Sequence, residues 1–255
     1  MNKADRLVTI VEMLRRNNSV KNSELCELFG TSDMTIRRDI DELEKAGVLK
    51  RVHGGAVNVN AESFIEMHIN DRVYYNAAVK EEVARIARRF VMPEEVIYMD
   101  TGSSVFFLAR EMVAQPIKLH CYTNSLNCAV ELGATDLITT TVMGGELKGL
   151  SMCTLGSTAE QQIRNIYFDA SFFSCNGIST SGDVMLFDFS ERFVKNAVME
   201  RSKKKYLLCD STKVAVNSTM EFARVTDFDA IFIDSGISAK DVKALQRLGT
   251  NIVTV

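Results

Sequence analysis

The chain has 255 residues and a formal net charge of −3, and 25% of its residues are charged. This length can bury a sizeable core without disulfide or metal support, and with only 2 prolines the composition excludes a collagen-like or largely disordered chain. No apolar run approaches the roughly 18 residues that span a bilayer, and no apolar signal core follows Met1, so we expect a cytoplasmic protein without a membrane partner.

The first fifty residues have the pattern of three short helices. Apolar residues at helical spacing predict a first helix over residues 4–16. A second, short helix, with Leu25, Leu28 and Phe29 as its apolar residues, stops at Gly30, a residue suited to a left-handed C-terminal cap. Thr31-Ser32 then offers a hydroxyl N-cap for a third helix.

The third helix has one apolar face and one polar face. Ile36, Ile40 and Leu43 recur at helical spacing and predict a buried face, which leaves the polar face available for a partner. Gly47 is predicted to end the helix, and residues 48–57 read as two short strands around a tight turn. Three helices followed by a hairpin predict a winged helix-turn-helix domain.

The basic residues of this segment are informative by their placement. The net charge alone does not favour nucleic acid, but up to Val57 bases narrowly outnumber acids and include the adjacent pairs Arg37-Arg38 and Lys50-Arg51. The alternative is a solvated helix face whose arginines have local partners in Asp39, Asp41 and Glu42. The capped helix, turn and wing around the arginine pair favour DNA binding.

From about residue 77 onward, apolar strands alternate with helices. The predicted strands are 96–99, 119–122, 138–143, 170–173, 206–209, 230–233 and 252–255. The predicted helices are 76–90, 105–114, 126–132, 157–166, 191–201 and 239–248. Strands buried on both faces and separated by helices imply a mostly parallel sheet with a helix layer on each side.

Polar turns follow several of these strands. Asp100-Thr101-Gly102-Ser103-Ser104 precedes a helix, and Thr123-Asn124-Ser125 and Gly144-Gly145-Glu146 stand after the next two strands. Ligands of open α/β sheets bind at the carboxyl ends of the strands, and a helix N-terminus can hold a phosphate there. Each turn alone is ordinary helix capping, but their repetition favours a binding site.

Two sets of motifs resemble the DeoR family of bacterial repressors. Residues 32–47 with 52–56 resemble its recognition helix and wing. The strand-end turns, together with Phe168-Asp169, residues 191–195 and 210–213, resemble its sensor domain, so the resemblance covers nearly the whole chain. We predict a DNA-binding domain over 1–57, a linker over 58–76, and a mostly parallel α/β sensor domain over 77–255. The resemblance implies that the sensor is similar in fold to ribose-5-phosphate isomerase and the CoA transferases.

The resemblance also implies roles for individual residues. DNA contacts are expected from Ser32, Met34, Thr35, Arg37, Arg38, Lys50, Arg51 and His53. A phosphorylated sugar is expected at Asp100, Gly102, Ser103, Ser104, Asn124, Ser125, Gly144, Gly145, Asp169, Glu191, Lys195 and Lys213. We therefore expect a homo-oligomeric repressor of a carbohydrate operon that binds double-stranded operator DNA under control of that sugar.

No catalytic, metal or cofactor site is predicted. The 3 histidines lack metal-ligand spacing, and the 6 cysteines form no C-x-x-C pair and read as reduced, mostly buried thiols. The competing hypothesis is a sugar-phosphate isomerase with an appended DNA-binding domain, in which Asp100, Asp169, Glu191 and Lys195 supply acid-base groups. Fold similarity alone does not carry that activity.

Overall fold

The chain forms two compact units. A computed structural model describes residues 3–17, 19–45, 49–58 and 69–254. The units divide between Ile65 and Glu66, within the segment 58–76 that we predicted as a linker. That segment also contains a helix, Ile69–Tyr74, which the sequence did not predict because its few apolar residues give no helical period.

The first unit is a winged helix-turn-helix. Its elements are α1 (Lys3–Asn17), β1 (Ser19–Lys21), α2 (Asn22–Phe29), α3 (Asp33–Lys45), β2 (Leu49–Val52) and β3 (Gly55–Asn58). The predicted hairpin of β2 and β3 is confirmed, and β1 adds a third antiparallel strand in the order β1-β3-β2. Strand β1 was not predicted, since three residues show no alternation and the strand exists only through its pairing with β3. Gly47, predicted to end α3, lies outside the described residues.

The three helices pack around one apolar core. Ile36, Ile40 and Leu43 are buried as predicted, against Ile10 and Leu25 of the preceding helices. Gly30 adopts the left-handed conformation, with φ +60°, and its N–H donates to the Cys26 carbonyl, which confirms the predicted helix cap. Leu28 is 54% exposed, whereas Leu25 of the same helix is fully buried.

The second unit alternates strands and helices. In chain order its elements are α4 (Ile69–Tyr74), α5 (Ala77–Ala87), β4 (Val96–Met99), α6 (Ser103–Ala114), β5 (Leu119–Thr123), α7 (Leu126–Leu132), β6 (Ile138–Val142), β7 (Glu146–Lys148), β8 (Cys153–Leu155), α8 (Ser157–Arg164), β9 (Phe168–Ser174), β10 (Gly177–Ile178), β11 (Asp183–Leu186), α9 (Phe189–Arg201), β12 (Ser202–Leu208), β13 (Met220–Arg224), β14 (Ala230–Ile233), α10 (Ala239–Arg247) and β15 (Ile252–Thr254).

Seven of these strands form a single parallel sheet in the order β15-β14-β12-β9-β4-β5-β6. From β4 the chain adds β5 and β6 on one side, and then β9, β12, β14 and β15 on the other. The order therefore reverses between β4 and β9. Such a reversal leaves a crevice at the carboxyl ends of the two strands, which is where ligands of open α/β sheets bind.

Each face of the sheet has its own core, because neighbouring strand residues point to opposite sides. Tyr98, Phe173 and Leu207 pack on the face covered by α8, α9 and α10, whereas Phe172 and Leu208 pack on the face covered by α5, α6 and α7. Burial of each such side chain contributes roughly 1.5–3 kcal/mol. The predicted parallel sheet with helices on both faces is confirmed.

Two small antiparallel sheets were not predicted. One is the hairpin of β7 and β8, and the other has the order β10-β11-β13. Their strands are two to five residues long, too short to show alternation. Strand β12 also begins at Ser202, four residues earlier than predicted, because its exposed start carries Lys203 and Lys204 instead of apolar residues.

Candidate DNA-binding surface and effector site

The recognition helix, α3, starts with a hydroxyl cap. Ser32 Oγ accepts a hydrogen bond from the Thr35 backbone N–H at 3.4 Å and lies 3.1 Å from Thr35 Oγ1. This cap follows the Gly30 turn and sets the angle between α2 and α3. The predicted contact residues Ser32 and Thr35 thus lie at the N-terminal end of the recognition helix, the end that helix-turn-helix proteins insert into the major groove.

The outer face of the recognition helix is exposed. Met34 is 64% exposed, and Arg37 and Arg38 are exposed as well. Arg37 Nε donates to Asp33 Oδ2 at 2.6 Å, one helical turn earlier. An exposed pair of this kind is weak and screened by salt, so the Arg37 guanidinium can exchange Asp33 for a phosphate or a base edge.

Three other acidic side chains of the recognition helix bind residues other than Arg37 and Arg38. Asp39, which is buried, accepts two hydrogen bonds from the Arg6 guanidinium, at 2.7 Å and 3.2 Å. The hydrogen bond to Asp39 raises the pKa of Arg6. Asp41 pairs with Arg51 at 2.5 Å, and Glu42 pairs with Lys3 at 2.5 Å. The alternative that Asp39, Asp41 and Glu42 are the partners of Arg37-Arg38 is therefore not supported by these contacts.

The wing is attached to the recognition helix. The Arg51 backbone N–H donates to Glu44 Oε1 at 2.9 Å, in addition to the Arg51–Asp41 pair. His53 is exposed at the turn of the hairpin, and Lys50 is half-buried on β2. All eight predicted DNA-contact residues thus belong to α3, its cap or the wing.

In the second unit, a buried ionic cluster lies where the strand order reverses. Asp100 follows β4, Ser174 ends β9 and Lys195 lies on α9, all three at most 8% exposed. The Lys195 ammonium pairs with Asp100 Oδ2 and donates to the Ser174 carbonyl at 3.3 Å. Asp100 Oδ2 also accepts from the Ser174 N–H at 3.0 Å. Burial raises the pKa of Asp100, while Lys195 and the Ser174 N–H oppose that shift.

The turn into α6 fits tightly against Ser174. Gly102 has φ +136°, and a Cβ at that position would lie 2.1 Å from Ser174 Oγ, so only glycine is accommodated. Ser103 and Ser104 open the helix and are both buried. Among the described residues, Ser104 Oγ has no hydrogen-bond partner. The first N–H groups of α6 also lack intrahelical partners, as at every helix start.

Glu191 belongs to a second polar cluster at the same edge of the sheet. Its Oε1 accepts from Lys148 Nζ and from Ser151 Oγ, both at 3.2 Å. Arg72 Nη2 of α4 donates to Ser151 Oγ at 3.4 Å, and Thr101 Oγ1 donates to the Ser151 carbonyl at 3.3 Å. Ser151 thereby joins the turn after β4 to α9.

A third group surrounds the end of β12. Lys213 Nζ donates to the Cys175 carbonyl at 2.8 Å. Burial alone would raise the pKa of Asp210. The positive charge of Lys213, the hydrogen bond from Thr212 and the charge of Lys80 outweigh burial and lower this pKa. Asp210 is 1% exposed, and its Oδ2 has no hydrogen-bond partner among the described residues. Lys80 is also buried and donates to the backbone carbonyls of Arg72 and Tyr75.

Comparison with known families covers both units. Residues 6–62 match the DeoR-like helix-turn-helix domain, and residues 75–235 match the DeoR C terminal sensor domain. The chain belongs to the DeoR family. This DeoR-family chain is 30% identical over 250 residues to a lactose phosphotransferase system repressor of Streptococcus mutans, covering 97% of each chain. It is 28% identical to a putative aga operon transcriptional repressor of Escherichia coli O157:H7, covering 99% of this chain and 94% of that one.

Two solved structures are similar to part of the chain. Ribose 5-phosphate isomerase A from Methanocaldococcus jannaschii is 15% identical, covers 55% of each chain and has a TM-score of 0.40. The eIF2B delta subunit from Chaetomium thermophilum is 12% identical, covers 64% of this chain and 57% of that one, and has a TM-score of 0.44.

Within the DeoR-family sensor unit, the structure brings most predicted effector residues to one edge of the sheet. Asp100, Gly102, Ser103, Ser104, Glu191, Lys195 and Lys213 all lie at or beside the carboxyl ends of β4, β9 and β12. Asn124 and Ser125 follow β5 at the same edge, but their side chains already form hydrogen bonds within the protein. Asn124 accepts from the Tyr98 hydroxyl at 2.8 Å and donates to the Thr154 carbonyl, and Ser125 caps α7.

Three predicted effector residues, Asp169, Gly144 and Gly145, do not lie in the polar clusters described above. Asp169 stands at the start of β9, where Oδ2 accepts from the Val96 N–H at 3.0 Å. Asp169 is therefore at the amino end of β9, whereas Ser174 is at its carboxyl end. The five residue steps between these positions span about 16 Å at a rise of about 3.3 Å per residue. Gly144 and Gly145 lead into strand β7 instead of a helix, so they supply no helix N-terminus, and the Gly144 N–H donates to Gln162 Oε1 at 2.8 Å.

We did not assign Ser174, Ser151, Lys148, Asp210 or Lys80 to the effector site from the sequence, although Asp210 stands in the motif 210–213. Lys80 had a detectable signal, because Ala77, Lys80, Ala84 and Ala87 share one face of α5 at helical spacing. The other four stand in turns or at strand ends, and their neighbours in space are distant along the chain. No sequence period marks such positions.

The remaining classes of site are membrane spans, metal sites and disulfides. None of the helices in the described ranges is long and apolar enough to cross a membrane. No group of three or more histidine, cysteine or acidic side chains in the same ranges is placed to hold a metal ion. The six cysteines are free thiols, and all except Cys26 are buried, as predicted.

Proposed function

We propose that this DeoR-family regulator represses a carbohydrate operon and is controlled by a phosphorylated sugar that binds at the carboxyl edge of the sensor sheet. We call this place the effector site and define it by Asp100, Gly102–Ser104, Ser174, Glu191, Lys195, Asp210 and Lys213. The names of two relatives, a lactose phosphotransferase system repressor and an aga operon repressor, support the class of target operon.

One observation carries the effector proposal. Ser104 Oγ and Asp210 Oδ2 are buried polar atoms without a partner among the described residues. Ser104 lies in the first turn of α6, which follows β4, and Asp210 lies in the turn after β12. A buried polar atom left unpaired costs about 1–3 kcal/mol, so such atoms point to a ligand that completes them. A hydroxyl and N–H groups at the start of α6 suit a phosphate, and the Asp210 carboxylate suits a sugar hydroxyl.

The cations of the site support an anionic ligand. Lys195, Lys213 and Lys80 all bring ammonium groups to the buried edge, and Lys195 and Lys213 each use a backbone carbonyl as one partner. A phosphate binds an ammonium more strongly than a neutral carbonyl does, because both partners are then charged. Ligand binding would therefore rearrange these contacts, which is the differential interaction that an allosteric effector requires.

For the DNA unit, the exposed face of α3 and the wing support major-groove reading by Ser32, Met34, Thr35, Arg37 and Arg38, with backbone contacts from Lys50, Arg51 and His53. We propose a cytoplasmic homo-oligomer, dimer or tetramer, since one winged helix offers a small contact area and paired readers can engage repeated half-sites.

We propose that the chain is not an enzyme. The isomerase hypothesis required Asp100, Asp169, Glu191 and Lys195 as acid-base groups. Asp169 lies at the opposite edge of the sheet, and Lys195 and Asp100 are engaged with each other. Glu191 is already bound by Lys148 and Ser151. Turnover of ribose 5-phosphate or a hexose phosphate that is abolished in Glu191→Gln would contradict this proposal.

The first test is DNA binding by the purified chain. Fluorescence anisotropy compares a duplex from the region upstream of its own gene with a shuffled duplex of the same base composition, at about 150 mM salt, where non-specific binding is weak. We expect clear preference for the upstream duplex. Equal affinity for the two duplexes would refute sequence-specific repression.

The second test is a thermal-shift screen of sugar phosphates, each beside its unphosphorylated sugar. A ligand at about 100 times its Kd stabilises the folded chain by roughly 2.7 kcal/mol, which is a readily measured shift. We expect at least one phosphorylated sugar to raise the melting temperature and to change affinity for the upstream duplex, while its unphosphorylated form does neither. A response to the free sugars alone would refute the phosphate assignment.

A further inference from the structure

Two buried thiols lie next to each other at the carboxyl ends of β9 and β12. Leu208 and Ser174 are paired in the register of these parallel strands, and Cys209 and Cys175 are the next residue of each. Adjacent strands are about 4.8 Å apart, within the range of Cα separations that a disulfide spans, about 4.4–6.8 Å. The two thiols are close enough to share a hydrogen bond. The pair therefore has the spacing of a disulfide without the bond.

The surroundings of the two thiols differ. Cys175 lies near two ammonium groups, since Lys213 donates to its carbonyl at 2.8 Å and Lys195 donates to the carbonyl of Ser174. The hydrogen bond from Cys209, together with Lys213 and Lys195, lowers the pKa of Cys175 despite its burial. The same hydrogen bond, together with burial, raises the pKa of Cys209 well above its ordinary value. Because both ammonium groups lie beside the backbone of Cys175, this thiol is the better placed to ionise and act as the nucleophile, and Cys209 is the partner that closes the disulfide.

We propose that Cys175 and Cys209 form a peroxide-reactive dithiol that closes reversibly to a disulfide within the wall of the effector site. Nothing in the repressor function requires this pair, so the proposal is independent of the identity of the sugar. Cys175 is 4% exposed and Cys209 is fully buried, so a molecule as small as hydrogen peroxide meets Cys175 first.

The reaction has two steps. The Cys175 thiolate attacks one peroxide oxygen, so that an S–O bond forms, the O–O bond breaks and the leaving hydroxide takes up a proton, which gives a sulfenic acid and water. The Cys209 sulfur then attacks the sulfenic sulfur. The S–S bond forms, the S–O bond breaks, and the thiol proton leaves with the hydroxide as a second water. Two thiols are oxidised by two electrons, and the peroxide is reduced.

The chain provides its own control pair. Cys121 and Cys128 are also fully buried and close enough to interact, but burial raises the pKa of Cys128 to about 12 and that of Cys121 well above its ordinary value. Because reaction with peroxide depends on the thiolate fraction, which falls tenfold for each pKa unit, we expect Cys175 to react at least about tenfold faster than Cys128.

The test uses the wild-type full chain, so it does not depend on the folding of a variant. The reduced protein is treated with stoichiometric hydrogen peroxide, its remaining thiols are alkylated under denaturing conditions, and intact mass and peptide maps are recorded. Of the six cysteines, we expect four to carry the alkyl group and residues 175 and 209 to be cross-linked, so that the chain with four adducts is lighter by two hydrogen atoms than its open form. Treatment with dithiothreitol before alkylation should restore six alkylated thiols.

Two variants complete the test. In Cys209→Ala we expect Cys175 to stop at the sulfenic acid, which dimedone traps, and in Cys175→Ala we expect Cys209 to stay reduced. Oxidation of Cys121 and Cys128 at the same rate, or a Cys175 thiol that remains free in the peroxide-treated wild-type chain, would overturn the proposal.

Discussion

Arg6 on the first helix and Asp39 on the recognition helix form a two-point ion pair. Arg6 Nε and Nη2 donate to the two carboxylate oxygens of Asp39, whose side chain is only 2% exposed. Asp39 lies on the inner face of α3, between the exposed Arg38 and the buried Ile40. The pair therefore fixes the position of the helix that presents Arg37 and Arg38, although neither partner faces the DNA side.

Removal of this pair should weaken DNA binding through the position of α3. In Asp39→Asn, one partner of a buried, bidentate pair loses its charge, which leaves Arg6 without full compensation. We expect weaker binding to specific and random duplexes alike and a lower melting temperature of the DNA-binding unit, while the response of the sensor unit to sugar phosphate is unchanged. Wild-type DNA affinity in this variant would show that the pair does not position the helix.

Arg37→Ala should reduce sequence preference. If Arg37 pairs with a guanine edge, its removal costs about 1–3 kcal/mol on the specific duplex and little on random DNA. Arg164→Ala is a matched control, because Arg164 is about as exposed and has a similar single ion pair, with Glu200 at 2.7 Å. We expect the control to bind like wild type. An equal loss on both duplexes in Arg37→Ala would assign Arg37 to the DNA backbone.

The buried pair of Asp100 and Lys195 should be costly to break on one side. In Lys195→Met the Asp100 carboxylate remains buried without its cation, which should lower the free energy of unfolding by about 3–5 kcal/mol. The double variant Asp100→Asn/Lys195→Met removes both charges and should recover part of that loss. Urea denaturation monitored by circular dichroism measures the three chains. A single variant as stable as wild type would mean that the pair is solvated.

Ser104→Ala should separate ligand binding from stability. Its Oγ is buried without a partner among the described residues, so its removal should leave the free energy of unfolding unchanged or raise it by about 1 kcal/mol. The melting-temperature shift caused by a sugar phosphate should nevertheless shrink.

Ser238→Ala gives the opposite pattern and serves as the comparison. Ser238 Oγ accepts from the Asp241 N–H at 3.1 Å and caps α10, so this change should cost about 1 kcal/mol without altering the ligand response. A Ser104→Ala chain that loses stability and keeps its full ligand response would remove Ser104 from the effector site.

Lys213 should affect the pH at which acid unfolds the chain, through its effect on the pKa of Asp210. The folded-state pKa of Asp210 is lowered, so the associated stabilisation is present above the unfolded-state value of about 4 and is lost as pH falls through the folded value. In Lys213→Met burial remains but the neighbouring cation is gone, so the pKa of Asp210 rises and acid unfolding should begin at higher pH. Lys243→Met, a change at an exposed lysine of α10, should unfold at the wild-type pH. Identical acid midpoints for the two variants would contradict the coupling.

Local pattern was sufficient for the longer helices, including the recognition helix, and for the parallel strands. Ile36, Ile40 and Leu43 repeat at the helical period, and the apolar runs that became β4 and β14 are continuous because both faces of the sheet are covered. Short pieces such as β1, β7 and α4 were missed, since their stability comes from partners distant in the chain and not from their own period.

Residue chemistry and spacing by themselves determined that the chain has a winged helix-turn-helix followed by a parallel α/β domain, and which strand-end turns carry polar groups. Only the tertiary structure decided which of those groups meet. It placed Asp100, Ser174 and Lys195 together at the reversal of strand order and Asp169 at the far edge. The reason is topological: strand order and the direction in which each residue points depend on long-range pairing, and no period along the chain encodes them.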